Sequence, residues 1–251
     1  MNDFKRALVI SASAPIARPA FLQWTVGAFL VSLVLFLAFP EIDIAAASAF
    51  YESGTFVGRL PAVETVRDFL KLVYVVALFG SIAGVWFGYV RRQNLLQLST
   101  TKWMVVLATL VVGPGLVANV LLKDEIGRAR PSQIERFGGS KAFTPALEMT
   151  NQCERNCSFV SGEASSMFAL FFGLAVVAGA GAPPFLALGL FMGGLAGLLR
   201  MAQGAHFLSD VVFAGIFMAL TAILMRMLII DFRPVWSDMV TKVARSLVHR
   251  C

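Results

Sequence analysis

Charge is scarce in this chain. Asp, Glu, Lys and Arg make up 14% of its 251 residues, hydrophobic residues 58%, and the mean hydropathy is +0.76. Soluble domains carry about 25% charged residues, so this balance excludes a water-soluble globule. Histidine is scarcer still, with His206 and His249 alone. The three cysteines, Cys153, Cys157 and Cys251, are too few for a cysteine-built zinc centre, which normally takes about four ligands. No internal repeat, low-complexity tract or linker divides the sequence. Residues 1–251 are therefore expected to form one integral-membrane domain.

What is abundant is apolar sequence in long runs. Six are candidate spans: Phe21–Phe39, Leu72–Val90, Trp103–Leu122, Ser161–Ala178, Phe185–Leu199 and Val211–Ile230. The expected fold is all-α, a polytopic bundle of six transmembrane helices. Phe39-Pro40-Glu41 follows the first run where a cleavable leader would show small residues, so that run reads as an anchor. Six spans put both termini on one side. The 21 Lys and Arg divide almost evenly between the two sides, but most of the fifteen acids lie on the far side, where several basic residues also belong to a site. Discounting those, the positive-inside rule puts the termini in the cytoplasm. Cys153 and Cys157 then face an oxidising compartment. They either form a disulfide clamping their loop or remain two thiols.

Polar residues gather in three clusters, each on the far side at the end of an apolar run. The first is "KDEIGRARP", residues 123–131, where Lys123, Arg128 and Arg130 crowd together. A helix would stack Lys123 and Arg130 two turns apart on one face and end at Pro131. Such residues also anchor spans at headgroups, yet their density suits an anion, and the planar fork of arginine suits phosphate. The second is "CSFVSGEASS", residues 157–166, where Ser158 or Ser161 can cap a helix and Gly162 bares its first backbone N–H groups to an anion. The third is "RMAQGAHFLSD", residues 200–210. On a helix His206 and Asp210 share a face, and the carboxylate would hold the ring N–H and prepare the imidazole as a nucleophile. A histidine merely satisfied by a neighbouring acid would show the same spacing. Together the three clusters describe a phosphoryl-transfer site at one membrane face.

These residues resemble the lipid phosphate phosphatase superfamily, the type 2 phosphatidic acid phosphatases. Lys123, six residues, then Arg130-Pro131 match its first signature. Arg200, five residues, His206, three residues and Asp210 match its third, with Leu199 replacing a serine. The likeness runs over about residues 103–230. It implies His206 as nucleophile through a phosphohistidine, Asp210 as its support, a phosphate cradle of Lys123, Arg130, Arg200, Ser161 and Gly162, and no metal or other cofactor. The second signature, Pro-Ser-Gly-His, departs here to Val160-Ser161-Gly162-Glu163. Glu163 stands where the family's second histidine would protonate the leaving oxygen, and His249 lies on the opposite side. Glu163 is expected to be the general acid; the alternatives are that water does the work or that the site is inert. "SGEAS" is similar to a branch that includes bacterial lipid A phosphatases acting at the 4′ position.

The implied partners are the bilayer and a phosphorylated membrane lipid: lipid A first, then undecaprenyl diphosphate, phosphatidylglycerophosphate or phosphatidic acid. Nucleic acid is not expected, and the oligomeric state stays open. The implied setting is a bacterial inner membrane with the site facing the periplasm. A transporter or flippase would need comparable cations, but mid-span rather than at span ends. Residues 41–71 are expected to lie over the site through Phe50, Tyr51 and Phe56 or to be a solvated connector, and residues 231–251 to form an amphipathic helix on anionic headgroups.

Overall fold

The structure is a computed structural model that describes residues 18–232. The expected amphipathic tail and His249 lie almost wholly or wholly outside the described residues. Helix α1 spans Arg18–Ala38 and α2 spans Glu41–Ser48. A short antiparallel hairpin, β1 (Tyr51–Glu52) and β2 (Thr55–Phe56), leads to α3, Pro61–Arg91. Helix α4, Thr100–Leu110, continues through wider π-type turns at Val111–Leu122, around Pro114, into the short α5, Lys123–Ile126. After a long connection come α6 (Gly162–Ala178), α7 (Ala182–Ala202) and α8 (Leu208–Arg226), the last extended by Met227–Asp231.

The local sequence sets these boundaries. Pro61 occupies the first turn of α3, where its missing N–H costs nothing. Ser99 caps α4 by accepting from the Lys102 N–H. Gly127 stops α5 at a φ of +65°, and a Cβ there would lie 1.9 Å from the Thr150 carbonyl oxygen, so only glycine fits.

Among the described residues five helices are long and apolar enough to cross a membrane: Ala20–Ala38, Pro61–Arg91, Thr100–Leu122, Ala182–Ala202 and Leu208–Asp231. The protein is thus a multi-pass, all-α membrane protein. The sixth expected span, α6, has 17 residues, which at 1.5 Å per residue gives about 26 Å against a hydrocarbon core of about 30 Å. It is also the helix most enclosed by others, with Ala164, Met167, Phe168, Phe172 and Val177 buried. Packing in lipid depends on close approach and not on escape from water, and glycines supply it. A Cβ on Gly193 would meet the Phe168 ring at 2.4 Å, one on Gly189 the Phe172 ring at 2.7 Å, and one on Gly197 Val211 at 2.2 Å. This stripe lets α7 lie flat against α6 and α8.

One end of the bundle gathers the connections that matter. The Gly58 N–H donates to the Ala202 carbonyl and the Ser132 N–H to the Gly204 carbonyl. Phe56 and Phe137 are buried, with Tyr51 half-buried against them, in an aromatic cluster packed on Phe207. The hairpin therefore packs over the α7–α8 connection. Cys153 and Cys157 are joined by a disulfide in the loop before α6.

Candidate active site

His206 lies in the α7–α8 connection just before α8, and not on a helix with Asp210 as its spacing suggested. Asp210 falls in the first turn of α8 and folds back to accept from the Phe207 N–H at 2.8 Å. The ring is 2% exposed. Its Nδ1 sits 2.7 Å from the Ser158 carbonyl oxygen and 3.6 Å from the Asp210 carboxylate. The main chain before α6 thus takes the contact expected of the acid. A carbonyl can only accept, so Nδ1 carries the hydrogen and Nε2 holds the lone pair. Burial holds the His206 pKa below its usual value; the cations Lys123 and Arg200 add to this, and Asp210 opposes it.

Asp210 acts one shell further out. Its carboxylate accepts from Arg128 Nη1 at 2.6 Å and from the Ser158 hydroxyl, so it fixes the residue whose carbonyl orients the imidazole. Arg128 is fully buried and lies over the Phe207 ring at 4.3 Å. Its other arm reaches Asp43 of α2 at 2.8 Å, and its Nε reaches the Thr144 carbonyl at 2.9 Å. Asp43 also accepts from the backbone N–H of Ser209 at 2.8 Å. Every N–H of Arg128 named here is spent on the protein, which makes it a brace.

The expected cradle residues lie around the start of α6. Lys123 and Arg130 are not on one helix, because Gly127 breaks the chain between them. A Cβ on Gly162 would nonetheless stand 3.6 Å from the Lys123 ammonium, so that cation overhangs the bared turn. Arg130 donates to the Asn156 carbonyl at 2.7 Å, and burial holds its pKa below the usual arginine value. Neither expected serine caps α6 with its side chain: Ser158 serves Asp210, and the buried Ser161 hydroxyl has no hydrogen-bond partner. Arg200 donates from Nη1 to Gln203 at 2.7 Å, while its buried Nε makes no hydrogen bond. Buried polar atoms are nearly always paired. Two such atoms without hydrogen bonds beside a lysine and a glycine-opened helix start suit the binding of an oxyanion.

Glu163 points both carboxylate oxygens at Arg67 of α3, which donates from Nε at 3.0 Å and from Nη2 at 2.6 Å. Arg67 also pairs with Glu64, which accepts from Gln203 at 2.8 Å.

The family model of the PAP2 superfamily matches residues 102–233. This chain belongs to the PAP2 superfamily. Over 196 residues it is 37% identical to a lipid A 4′-phosphatase of Francisella tularensis subsp. novicida (strain U112), covering 73% of this chain and 84% of that one. A lipid A 4′-phosphatase of Rhizobium leguminosarum is 36% identical over 211 residues, covering 72% and 84%. A crystal structure of a PAP2-type phosphatidylglycerolphosphate phosphatase from Bacillus subtilis is 21% identical, with a TM-score of 0.49, covering 80% of this chain and 94% of that one. Two residues that reach this cluster, Asp43 and Arg67, precede the matched segment, and sequence reading missed both. Arg67 had a signal: Pro61 opens a helix eleven residues before the apolar run, which sets Glu64, Arg67 and Lys71 at turn spacing above it.

Proposed function

We propose that this PAP2 protein is a membrane lipid phosphatase that removes the 4′-phosphate of lipid A, the activity named for its relatives. The observation that carries the chemistry is the His206 tautomer. With Nδ1–H committed to the Ser158 carbonyl, the neutral ring offers Nε2 for attack on phosphorus. The phosphorylated ring is cationic, and the Ser158 carbonyl and the Asp210 carboxylate behind it stabilise that charge. Lys123, Arg130, Arg200, Ser161 and the Gly162 turn hold the phosphate oxygens, and Glu163 protonates the departing lipid oxygen. Water then cleaves the phosphohistidine. None of these steps calls on a metal.

The site faces the periplasm of a bacterial inner membrane and the termini face the cytoplasm. The disulfide between Cys153 and Cys157 on the site side supports this, because such bonds persist in oxidising compartments.

The test is phosphate release by detergent-purified protein in excess chelator. Lipid A, undecaprenyl diphosphate, phosphatidylglycerophosphate and phosphatidic acid are offered separately. Fastest release from lipid A, with product retaining its 1-phosphate, is expected. Release that requires added divalent metal, or none from any lipid, would contradict the reading.

A further inference from the structure

Arg67 is an unusual partner for Glu163. It comes from α3, outside the family match, is 9% exposed, and spends two of its N–H arms on one carboxylate and a third on Glu64. It borders a cleft of about 220 Å³ with Leu70, Tyr74 and Met167 on its apolar wall and Glu163 and Ser166 at its polar end. Three neighbours of the pair, Glu64, Arg200 and Gln203, line a second pocket of about 680 Å³. The pair thus lines one cavity and adjoins, through Arg200 and Glu64, the residues of another.

Charge sharpens the point. The guanidiniums of Arg67 and Arg130 both bear on Arg200, and that of Arg67 bears on Arg130. Lys123 lies near Gly162. The carboxylates that face Arg67 and Arg200 are Glu163, one-quarter exposed, and Glu64, half exposed, while Asp210 also bears on Arg130 and Lys71 on Glu163. Guanidiniums this close repel one another, and one oxygen of Glu163 forms an ion pair at 3.8 Å with Arg200 Nε, which makes no hydrogen bond. The carboxylate occupies part of the place a phosphate would fill.

We propose that Arg67 is a phosphate ligand of this site, exchanging at least one arm from Glu163 to the substrate phosphate and so freeing the Glu163 carboxyl for proton transfer. The proposal rests on the phosphatase reading above. In the resting site Glu163 accepts from Arg67 at both oxygens, an arrangement that leaves no hydrogen to give. A lipid phosphate dianion offers Arg67 a stronger partner with the same fork geometry. The freed carboxyl, beside that dianion, takes a proton from solvent. Nε2 of His206 then attacks phosphorus, the bond from phosphorus to the lipid oxygen breaks, and the Glu163 proton passes to that oxygen. In the second half, Glu163 accepts a proton from water as the water oxygen bonds to phosphorus and the bond from nitrogen to phosphorus breaks. Neutral His206, protonated Glu163 and inorganic phosphate result, so charge and protons balance.

Binding of inorganic phosphate to the full chain in detergent, measured by calorimetry without lipid, tests this independently of turnover. Glu163→Gln removes the competing carboxylate charge and should bind phosphate as tightly as wild type or more tightly. Adding Arg67→Ala to that variant should weaken binding by about tenfold or more, the loss of charge-assisted hydrogen bonds. Arg67→Gln, which keeps the side-chain bulk, serves as the second variant and should weaken it similarly. Equal affinities for Glu163→Gln and its Arg67 double variants would overturn the proposal and leave Arg67 as a counter-ion of Glu163. Failure of the phosphatase reading would show instead as wild-type protein that releases no phosphate from lipid.

Discussion

In the proposed mechanism turnover depends on His206, and its surroundings set the pH range in which it can act. Burial and the nearby Lys123 and Arg200 lower its pKa, and Asp210 only partly offsets them. The ring is therefore neutral at pH 7, and activity is lost as pH falls through the lowered folded value. The acid limb of kcat/KM should accordingly lie below about 6.5, the ordinary imidazole value. The same shift makes a stability statement. The unfolded chain takes the proton first, so this term is at its most favourable above about pH 6.5 and acidification below that pH destabilises the fold. Replacing the ring, His206→Ala, should leave an inserted, folded protein with less than about a tenth of wild-type rate, since acid–base help alone is worth roughly 10²–10⁴-fold. Glu163→Gln should slow phosphoenzyme formation, read in a single turnover, by roughly 10²-fold on an alkyl phosphate and hardly at all on an aryl phosphate, whose leaving oxygen needs no proton. Equal losses of that rate on both substrates would remove Glu163 from protonation of the leaving oxygen.

Elements bring these residues together, and here the sequence was legible only in part. The three motif clusters could be read because each is local, lying within a few residues of the end of one apolar run. The brace behind them could not, because Arg128 meets Asp43 across 85 positions and Arg67 meets Glu163 across 96. Spacing rules carry no information at that range. The helical reading of Lys123 to Arg130 and of His206 to Asp210 failed for a backbone reason: Gly127 takes a left-handed turn, and the chain before α8 is extended at Phe207. Asp43 ties the short α2 to α8 through Arg128 and Ser209. Asp43→Ala would leave a buried guanidinium half paired, a loss of about 3–5 kcal/mol. It should lower the thermal midpoint in detergent, and a midpoint unchanged from wild type would contradict the brace. Gly193→Leu should also destabilise the bundle, because its Cβ alone would overlap the Phe168 ring; unaltered unfolding would show that α7 does not lie against α6 as described.

For the whole molecule, the class was legible from composition, since nothing but a bilayer accommodates such a sequence. The sixth span was less so, because apolar content does not separate a lipid-facing helix from one sheathed by its neighbours, as α6 is. Orientation is open to direct test. In intact cells an impermeant thiol reagent should miss Cys251, and Cys153 and Cys157 should react only after reduction; labelling of Cys251 from outside would place the site in the cytoplasm. The central claim, phosphoryl transfer through His206 at one end of the bundle, is tested most directly by rapid quenching with lipid carrying a radiolabelled phosphate, in excess chelator. The account predicts a transient phosphoenzyme, stable to base and labile to acid, mapped to His206 and absent from His206→Ala. Steady release of phosphate with no such species, or label recovered on another residue, would contradict it.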